Sequence, residues 1–308
     1  MRAVFFGTPA LAVPTLRALT QMAQVVGVVS QPDRPAGRGL IRTAPAVKTF
    51  ALEAGLELIQ PEKVRTGELE AWLRARQADV ALVLAYGRIL PPGVLDAPRF
   101  GCVNLHASLL PRYRGSAPIQ WAILRGDTQT GISLMQMDAG MDTGPVYSRH
   151  AIGIGPDETG GELADRLAKL AAEVTLSDLP TALAGELIAE PQDSAAATTA
   201  PPIERDHGRI AWQESAATIH NLVRALAPRP GATTSVRGKQ LRLTKTRLVA
   251  AAPPLAPGEL RVERPRILVG TANGALELVA AQLEGKREMP ALDLANGRAL
   301  VDGERLGA

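Results

Sequence analysis

The stretch Val103-Asn104-Leu105-His106-Ala107-Ser108-Leu109-Leu110-Pro111-Arg112-Tyr113-Arg114-Gly115 changes character partway along. Its start, Val103 to Leu105, reads as a buried strand, and Ile119 to Leu124 beyond it reads as a helix. Asn104 and His106 stand two apart where the strand ends. Side chains at i and i+2 share a sheet face, so both can reach one cleft. In an open α/β sheet, ligands bind at that carboxyl edge. On spacing alone, Asn-x-His at a strand end is more often a hydrogen-bonded turn feature, so the surrounding sequence has to decide.

Outward from this stretch the same alternation recurs. Val4 to Phe6, Val25 to Val29 and Val80 to Leu84 read as further buried strands, with helical patterns around Leu11 to Leu19, Val47 to Ala54 and Leu69 to Arg76. Strand–helix alternation predicts an α/β domain built on a Rossmann-like, mostly parallel sheet with helices on both faces. Ile132 to Gln136 and Val146 to Ala151 add two strands. A long helix follows, with Leu163, Leu167, Leu170 and Val174 at spacings of four, three and four on one face. Between the two added strands lies Met137-Asp138-Ala139-Gly140-Met141-Asp142-Thr143-Gly144, a glycine-flanked loop that frees Asp142 to reach the same cleft.

After Gly185 the pattern dissolves. Glu190 to Ile203 holds three prolines and an Ala/Thr/Ser run, the composition of a linker or crossing segment. Beyond it, one helix (Ala216 to Ala227) precedes short β-type runs at Thr233 to Val236, Leu241 to Leu243, Ile267 to Gly270 and Leu276 to Leu278. Short strands broken by Gly and Pro predict a small OB-like β-barrel. The expected organisation is a catalytic domain over 1–185, a linker over 186–204 and a second domain over 205–308, in keeping with 308 residues.

Bulk properties exclude several classes. A 46% hydrophobic content supports a sizeable core, and no apolar run approaches the ~20 residues of a membrane span. The chain runs almost directly into Ala3 to Phe6, not into a basic region followed by a long apolar stretch, so no secretory signal is expected. Cys102 is the single cysteine, which rules out an intramolecular disulfide framework, so a reducing, cytoplasmic setting is expected. Cys102 itself reads as a core residue. Net charge is only +3, yet residues 205–247 carry nine Lys or Arg against two acids, and residues 151–204 carry two against ten. Such asymmetry fits a polyanionic partner and fits a solvated surface equally well.

An amide, an imidazole and a carboxylate together suit acyl transfer without a covalent enzyme intermediate. A donor near the carbonyl stabilises the developing oxyanion. The imidazole donates a hydrogen bond or shuttles a proton, oriented by the carboxylate. No serine or cysteine nucleophile is needed when the substrate amine attacks. His106, His150, His207 and His220 show no ligand spacing, so no metal is expected.

The run Asn104 to Gly115, followed by Ala117-Pro118-Ile119-Gln120 and the Asp142 loop, resembles the signature of the folate-dependent formyltransferases. The resemblance implies that Asn104, His106 and Asp142 are the catalytic trio and that Ser108, Leu109, Leu110 and Pro111 contact the folate. It implies a pterin pocket lined by Leu84-Ala85-Tyr86-Gly87, hence by Leu84, Tyr86 and Gly87, and 10-formyltetrahydrofolate as co-substrate.

Two further regions point to one branch of that family. Gln31-Pro32-Asp33-Arg34-Pro35-Ala36-Gly37-Arg38-Gly39 resembles the loop that members acting on methionyl-initiator-tRNA insert into the acceptor stem. Prolines stiffen it, glycines allow close approach to phosphates, and Arg34, Arg38 and Arg42 supply charge. By position, Arg38 matches the arginine that wedges near the first, unpaired base position. The region after the linker resembles the added C-terminal domain, through Gly208-Arg209-Ile210-Ala211-Trp212, Ile219-His220-Asn221-Leu222-Val223-Arg224-Ala225, Ala256-Pro257-Gly258-Glu259-Leu260 and Leu283-Glu284-Gly285-Lys286. The resemblance thus covers nearly the whole chain. It implies formylation of the α-amine of methionyl-initiator-tRNA for translation initiation, by direct attack through a tetrahedral intermediate, in a monomer. Alternatives are formyl transfer to another amine, or formyltetrahydrofolate hydrolysis; a non-catalytic RNA-binding protein would leave the trio unexplained. The chain departs from the family pattern at Thr199, Pro202, Ala211 and Arg229. A dinucleotide enzyme is excluded: the first strand ends in Gly7-Thr8-Pro9-Ala10, not G-x-G-x-x-G, and no acid follows the second strand at Ser30.

Overall fold

The computed structural model describes residues 1–36, 41–251 and 253–307. These fall into two compact units. The first comprises Met1–Pro118, Thr130–Ile152 and Ala164–Pro201, and the second Ile119–Gln129, Gly153–Leu163 and Pro202–Ala308.

In the first unit, β1 (Arg2–Gly7), α1 (Val13–Met22) and β2 (Gln24–Val29) open the alternation. A hairpin of β3 (Arg34–Ala36) and β4 (Ile41–Thr43) follows, then α2 (Ala46–Glu53), β5 (Leu58–Ile59), α3 (Glu68–Ala75), β6 (Val80–Leu84), α4 (Pro92–Leu95) and β7 (Cys102–His106). β8 (Gln129–Gln136) and β9 (Val146–Gly153) complete its strands; of the helices between and after them, α5 (Pro118–Leu124) falls in the second unit from Ile119 on, and α6 (Gly160–Leu183) falls in the first from Ala164 on. Helix α1 starts two residues later than the apolar pattern suggests, because Pro14 suits a first helical turn and not an interior. Helix α3 places Glu68 and Glu70 in its first turn and Arg74 in its last, matching the helix dipole.

The sheet runs β5-β2-β1-β6-β7-β8-β9. β1 pairs in parallel with β2 and β6, and β6 with β7, while β7 and β8 are antiparallel. The mostly parallel α/β sheet expected from the sequence is thus present. Val4, Phe6, Ala81, Val83 and Cys102 join one apolar cluster with Leu69, Leu73 and Val94. Asn104 and His106 follow Cys102 at i+2 and i+4, so they continue this face where it turns polar. Burial pushes the Cys102 thiol up to about 12, which removes it as a nucleophile.

The β3–β4 hairpin, β5 and α4 are not readable as periodic runs, since strands of two or three residues and a single helical turn carry no period. Residues 190–200, read above as part of a crossing segment, bond into the first unit. Val146 and Glu190 form an antiparallel bridge, and Arg114 and Thr199 a parallel one.

The second unit carries α7 (Ala216–Leu226), β10 (Ala232–Val236), β11 (Lys239–Leu248), β12 (Leu260–Glu263), β13 (Arg266–Thr271), β14 (Gly274–Leu283), β15 (Met289–Pro290) and α8 (Ala291–Asn296). Its antiparallel sheet runs β10-β11-β14-β13-β12, with β15 on β14. Ser215 caps α7 by accepting from the Thr218 amide. Alternate residues of the strands (Leu241 and Leu243, Ile267 and Val269, Leu276 and Leu278) bury against Ile219 and Val223 of that helix. Thr199, Pro202, Ala211 and Arg229, where the chain departs from the family pattern, are all exposed. No helix among the described residues is long and apolar enough to cross a membrane.

Helix α7 also buries His220, only 2% exposed. Its Nε2 donates to the Pro156 carbonyl at 3.0 Å, and Nδ1 lies 3.0 Å from the Thr246 hydroxyl. A carbonyl only accepts, so Nε2 carries the proton and Nδ1 accepts in the neutral ring. Burial, foremost, holds this imidazole below its usual range, while the Pro156 bond and Asp157 oppose it in part. A group with a lowered folded pKa supports the fold while neutral, and that support fades as pH falls below the unfolded value of about 6.5. The fall in melting temperature between about pH 6.5 and 5 is therefore expected to flatten in His220→Gln; an unchanged slope would place the acid sensitivity elsewhere.

Candidate active site

Asn104 and His106 are 8% and 6% exposed at the end of β7. His106 Nε2 lies 2.8 Å from the Tyr113 carbonyl. The carbonyl cannot donate, so Nε2 is the protonated nitrogen and is fully engaged. The other ring nitrogen, Nδ1, faces Asp142 Oδ2 at 3.6 Å and is the one left for chemistry. The Asp142 side chain is 18% exposed, and its Oδ2 accepts from the Gly115 amide at 2.8 Å. The backbone therefore orients both members of the pair. Among the described residues no group bonds the side-chain amide of Asn104, so its donors remain unspent at the edge of the sheet.

The turn after β7 is held from several sides. The Ser108 amide donates to the His106 carbonyl at 2.9 Å, and the Ser108 hydroxyl donates to the Arg112 carbonyl at 2.6 Å. The Ser133 hydroxyl, on β8, donates to the Ser108 carbonyl at 2.7 Å and accepts from the Leu110 amide at 3.0 Å. Arg149 Nε, on β9, donates to the Leu110 carbonyl at 2.6 Å. Leu110 is buried with Met135 and Val146, whereas Leu109 and Pro111 stay half-buried. Ser108 is fully buried, so its hydroxyl shapes the turn.

On the neighbouring strand, Leu84 is buried at the end of β6, and Gly87 is exposed with φ +82°. Tyr86 points inward: its ring packs edge-on to Phe6 at 5.2 Å, and burial pushes its phenol up to about 12. Its carbonyl accepts from the Thr8 hydroxyl and from Gln31 Nε2, each at 3.1 Å. What Tyr86 offers to the edge of the sheet is main chain, not a phenol.

Arg34 and Arg42 sit exposed on the β3–β4 hairpin, where Arg34 pairs with Thr43 and Pro35 with Arg42. Arg38 falls in 37–40, outside the described residues. The hairpin's root is anchored: Asp33 accepts from Lys48 at 2.8 Å, and Gln60 Nε2 donates to Asp33 Oδ1 and to the Gln31 carbonyl, each at 2.8 Å. The Lys48 hydrogen bond, chiefly, holds the Asp33 carboxyl below its usual range.

The sequence reading missed the grip from residues 192–200. Gln192 Nε2 donates to the Asp142 carbonyl at 2.9 Å and to the Gly144 carbonyl at 2.7 Å. Its Oε1 accepts from Arg114 Nε and Nη2 at 3.0 and 2.8 Å. The Tyr113 amide donates to the Thr198 hydroxyl at 2.9 Å. No local pattern marks these residues; the signal is tertiary. Among the described residues no three His, Cys, Asp or Glu side chains converge as a metal site requires.

The arrangement suits polarisation of a carbonyl: open amide donors at Asn104 beside an imidazole nitrogen backed by a carboxylate. Residues 1–179 match the family described as Formyl transferase, and residues 202–299 its C-terminal domain. A methionyl-tRNA formyltransferase of Sorangium cellulosum is 54% identical over the whole of both chains. One from Solibacter usitatus is 46% identical over 100% of this chain and 99% of its own. Among solved structures, the N-formyltransferase from Helicobacter canadensis, in complex with folinic acid and dTDP-3-aminofucose, superposes with a TM-score of 0.70 at 16% identity. That match covers 90% of this chain and 98% of the other. A methionyl-tRNA formyltransferase from Clostridium thermocellum gives 0.57 over 82% and 95%, also at 16% identity. At such identities the structural likeness concerns the fold.

Proposed function

The chain belongs to the formyltransferase family, and we propose that it formylates the α-amino group of methionyl-initiator-tRNA, with 10-formyltetrahydrofolate as donor, for translation initiation. The observation that carries this reading is end-to-end identity of 54% to a methionyl-tRNA formyltransferase, second domain included. The three groups at the edge of the sheet supply a chemistry consistent with it.

In this reading the neutral amine attacks the formyl carbon directly. The Asn104 amide and a proton on His106 Nδ1 stabilise the oxyanion that develops on the formyl oxygen. Asp142 orients His106 and assists removal of the amine proton. The new C–N bond forms to methionine, the bond to the folate nitrogen breaks, and that nitrogen takes up a proton. The Leu109–Pro111 turn and the main chain of Ala85–Gly87 leave neighbouring strands at the same edge, and would hold the pterin of the donor there. The chain acts as a cytoplasmic monomer with no metal.

Arg34, Arg38 and Arg42 engage the acceptor stem. Arg38→Ala and Arg42→Ala are each expected to lower kcat/KM for initiator tRNA about tenfold, the scale of one charge-assisted phosphate contact. Each should also reduce the salt slope by about one while sparing donor binding. A loss of folate affinity in either variant would mean that the hairpin has been misread. The reading as a whole is tested by presenting initiator and elongator methionyl-tRNA side by side. Formylation confined to the initiator supports it, and formylation of a small amine in place of both would sink it.

A further inference from the structure

We propose that Gln192 is a positioning residue for formyl transfer, locking the Asp142 loop against His106; the inference rests on the reading just given. Its side chain has two N–H donors and two acceptor lone pairs, and all four are used. The donors go to the carbonyls of Asp142 and Gly144, and the oxygen takes the fork of Arg114. The amide's orientation is not in question, because carbonyls cannot donate and a guanidinium cannot accept.

This contact closes a ring around the catalytic pair. Tyr113, Arg114 and Gly115 are consecutive. The first fixes His106 through its carbonyl, and the third fixes the Asp142 carboxylate through its amide. The second reaches the Asp142 backbone through Gln192. That backbone needs holding, since Asp142 is a non-glycine residue at φ +53°, a conformation that persists only where its surroundings impose it. Gln192 is itself pinned by the Val146–Glu190 bridge two residues before it. Its side-chain bonds go to Arg114 and to the Asp142 and Gly144 carbonyls, not to His106 or the Asp142 carboxylate, so it acts through the loop.

Q192E separates this role from a merely structural one. Glutamate keeps the length and pairs well with Arg114 but aims a carboxylate at two carbonyls. Q192M removes both arms without adding charge. Both variants are expected to lose kcat about tenfold to a hundredfold, the cost of a displacement near 1 Å in a catalytic group. KM for donor and tRNA should stay within about a factor of two. If Gln192 served only to anchor Arg114, Q192E would match the wild type while Q192M alone suffered, and the proposal would be overturned. A loss confined to KM would overturn it as well. Should Q192E melt below the assay temperature, the kcat–KM split in Q192M decides. If the wild type formylates some other amine, the acceptor reading falls, and the kcat deficit of both variants on that amine still supports positioning by Gln192.

Discussion

Asn104→Ala is expected to lower kcat for formyl transfer about 10²- to 10³-fold, with KM for the formyl donor nearly unchanged. The reason lies in where the amide sits. It projects from the end of β7 on the face that carries the apolar core, and no group among the described residues competes for its donors. Its hydrogen bonds are free for the charge that appears only as the amine attacks, and such interactions act on kcat more than on binding. His106→Ala should lose a similar factor, since it removes the nitrogen that faces Asp142. Steady-state kinetics on both variants at saturating tRNA provide the check. Near-normal kcat in either would remove that side chain from the chemistry.

Gly115→Ala is expected to reduce kcat about 100-fold without a change at the trio itself. Gly115 has φ +126°, where an L residue is strained by about 1–3 kcal/mol. A Cβ there would also stand 2.6 Å from the Ala200 carbonyl oxygen. That carbonyl cannot simply retreat, because it accepts from the Ala117 amide at 3.1 Å while the Ala200 amide donates to Arg114 at 2.7 Å. The strain is relieved by moving the Gly115 amide, the group that holds Asp142 Oδ2. Unlike a cavity in the core, this substitution should lower kcat with only a moderate drop in melting temperature. A variant with wild-type kcat would show that the Gly115–Asp142 bond does not orient the pair.

The sequence made much of the first unit legible because its signals are local. Strands β1 and β6 are carried by unbroken apolar runs (Ala3 to Phe6, Val80 to Leu84), and on β7 strand parity alone places Asn104 and His106 on one face. The reach of Asp142 could be anticipated from the glycines around it. How Asp142 is held could not, since Gln192 lies 50 residues away in a stretch whose Pro/Ala/Thr composition reads as a linker or crossing segment. Bonds such as Tyr113–Thr198 and Arg114–Ala200 depend on chain crossing, and no period in either segment encodes it. Tyr86 shows a related limit: its place at a strand end was readable, but its ring points inward, because Phe6 on the adjacent strand offers an edge-on partner. The β3–β4 hairpin escaped notice because two strands of three residues each leave no alternation to detect.

The most direct test of the account is a single turnover with limiting donor labelled in the formyl carbon, and with enzyme and methionyl-initiator-tRNA both in excess over it. The account predicts that the label passes entirely to the methionine α-nitrogen, with none trapped on protein and no formate released. Label on the chain would contradict direct attack by the amine, and labelled formate with unformylated tRNA would contradict the transfer itself.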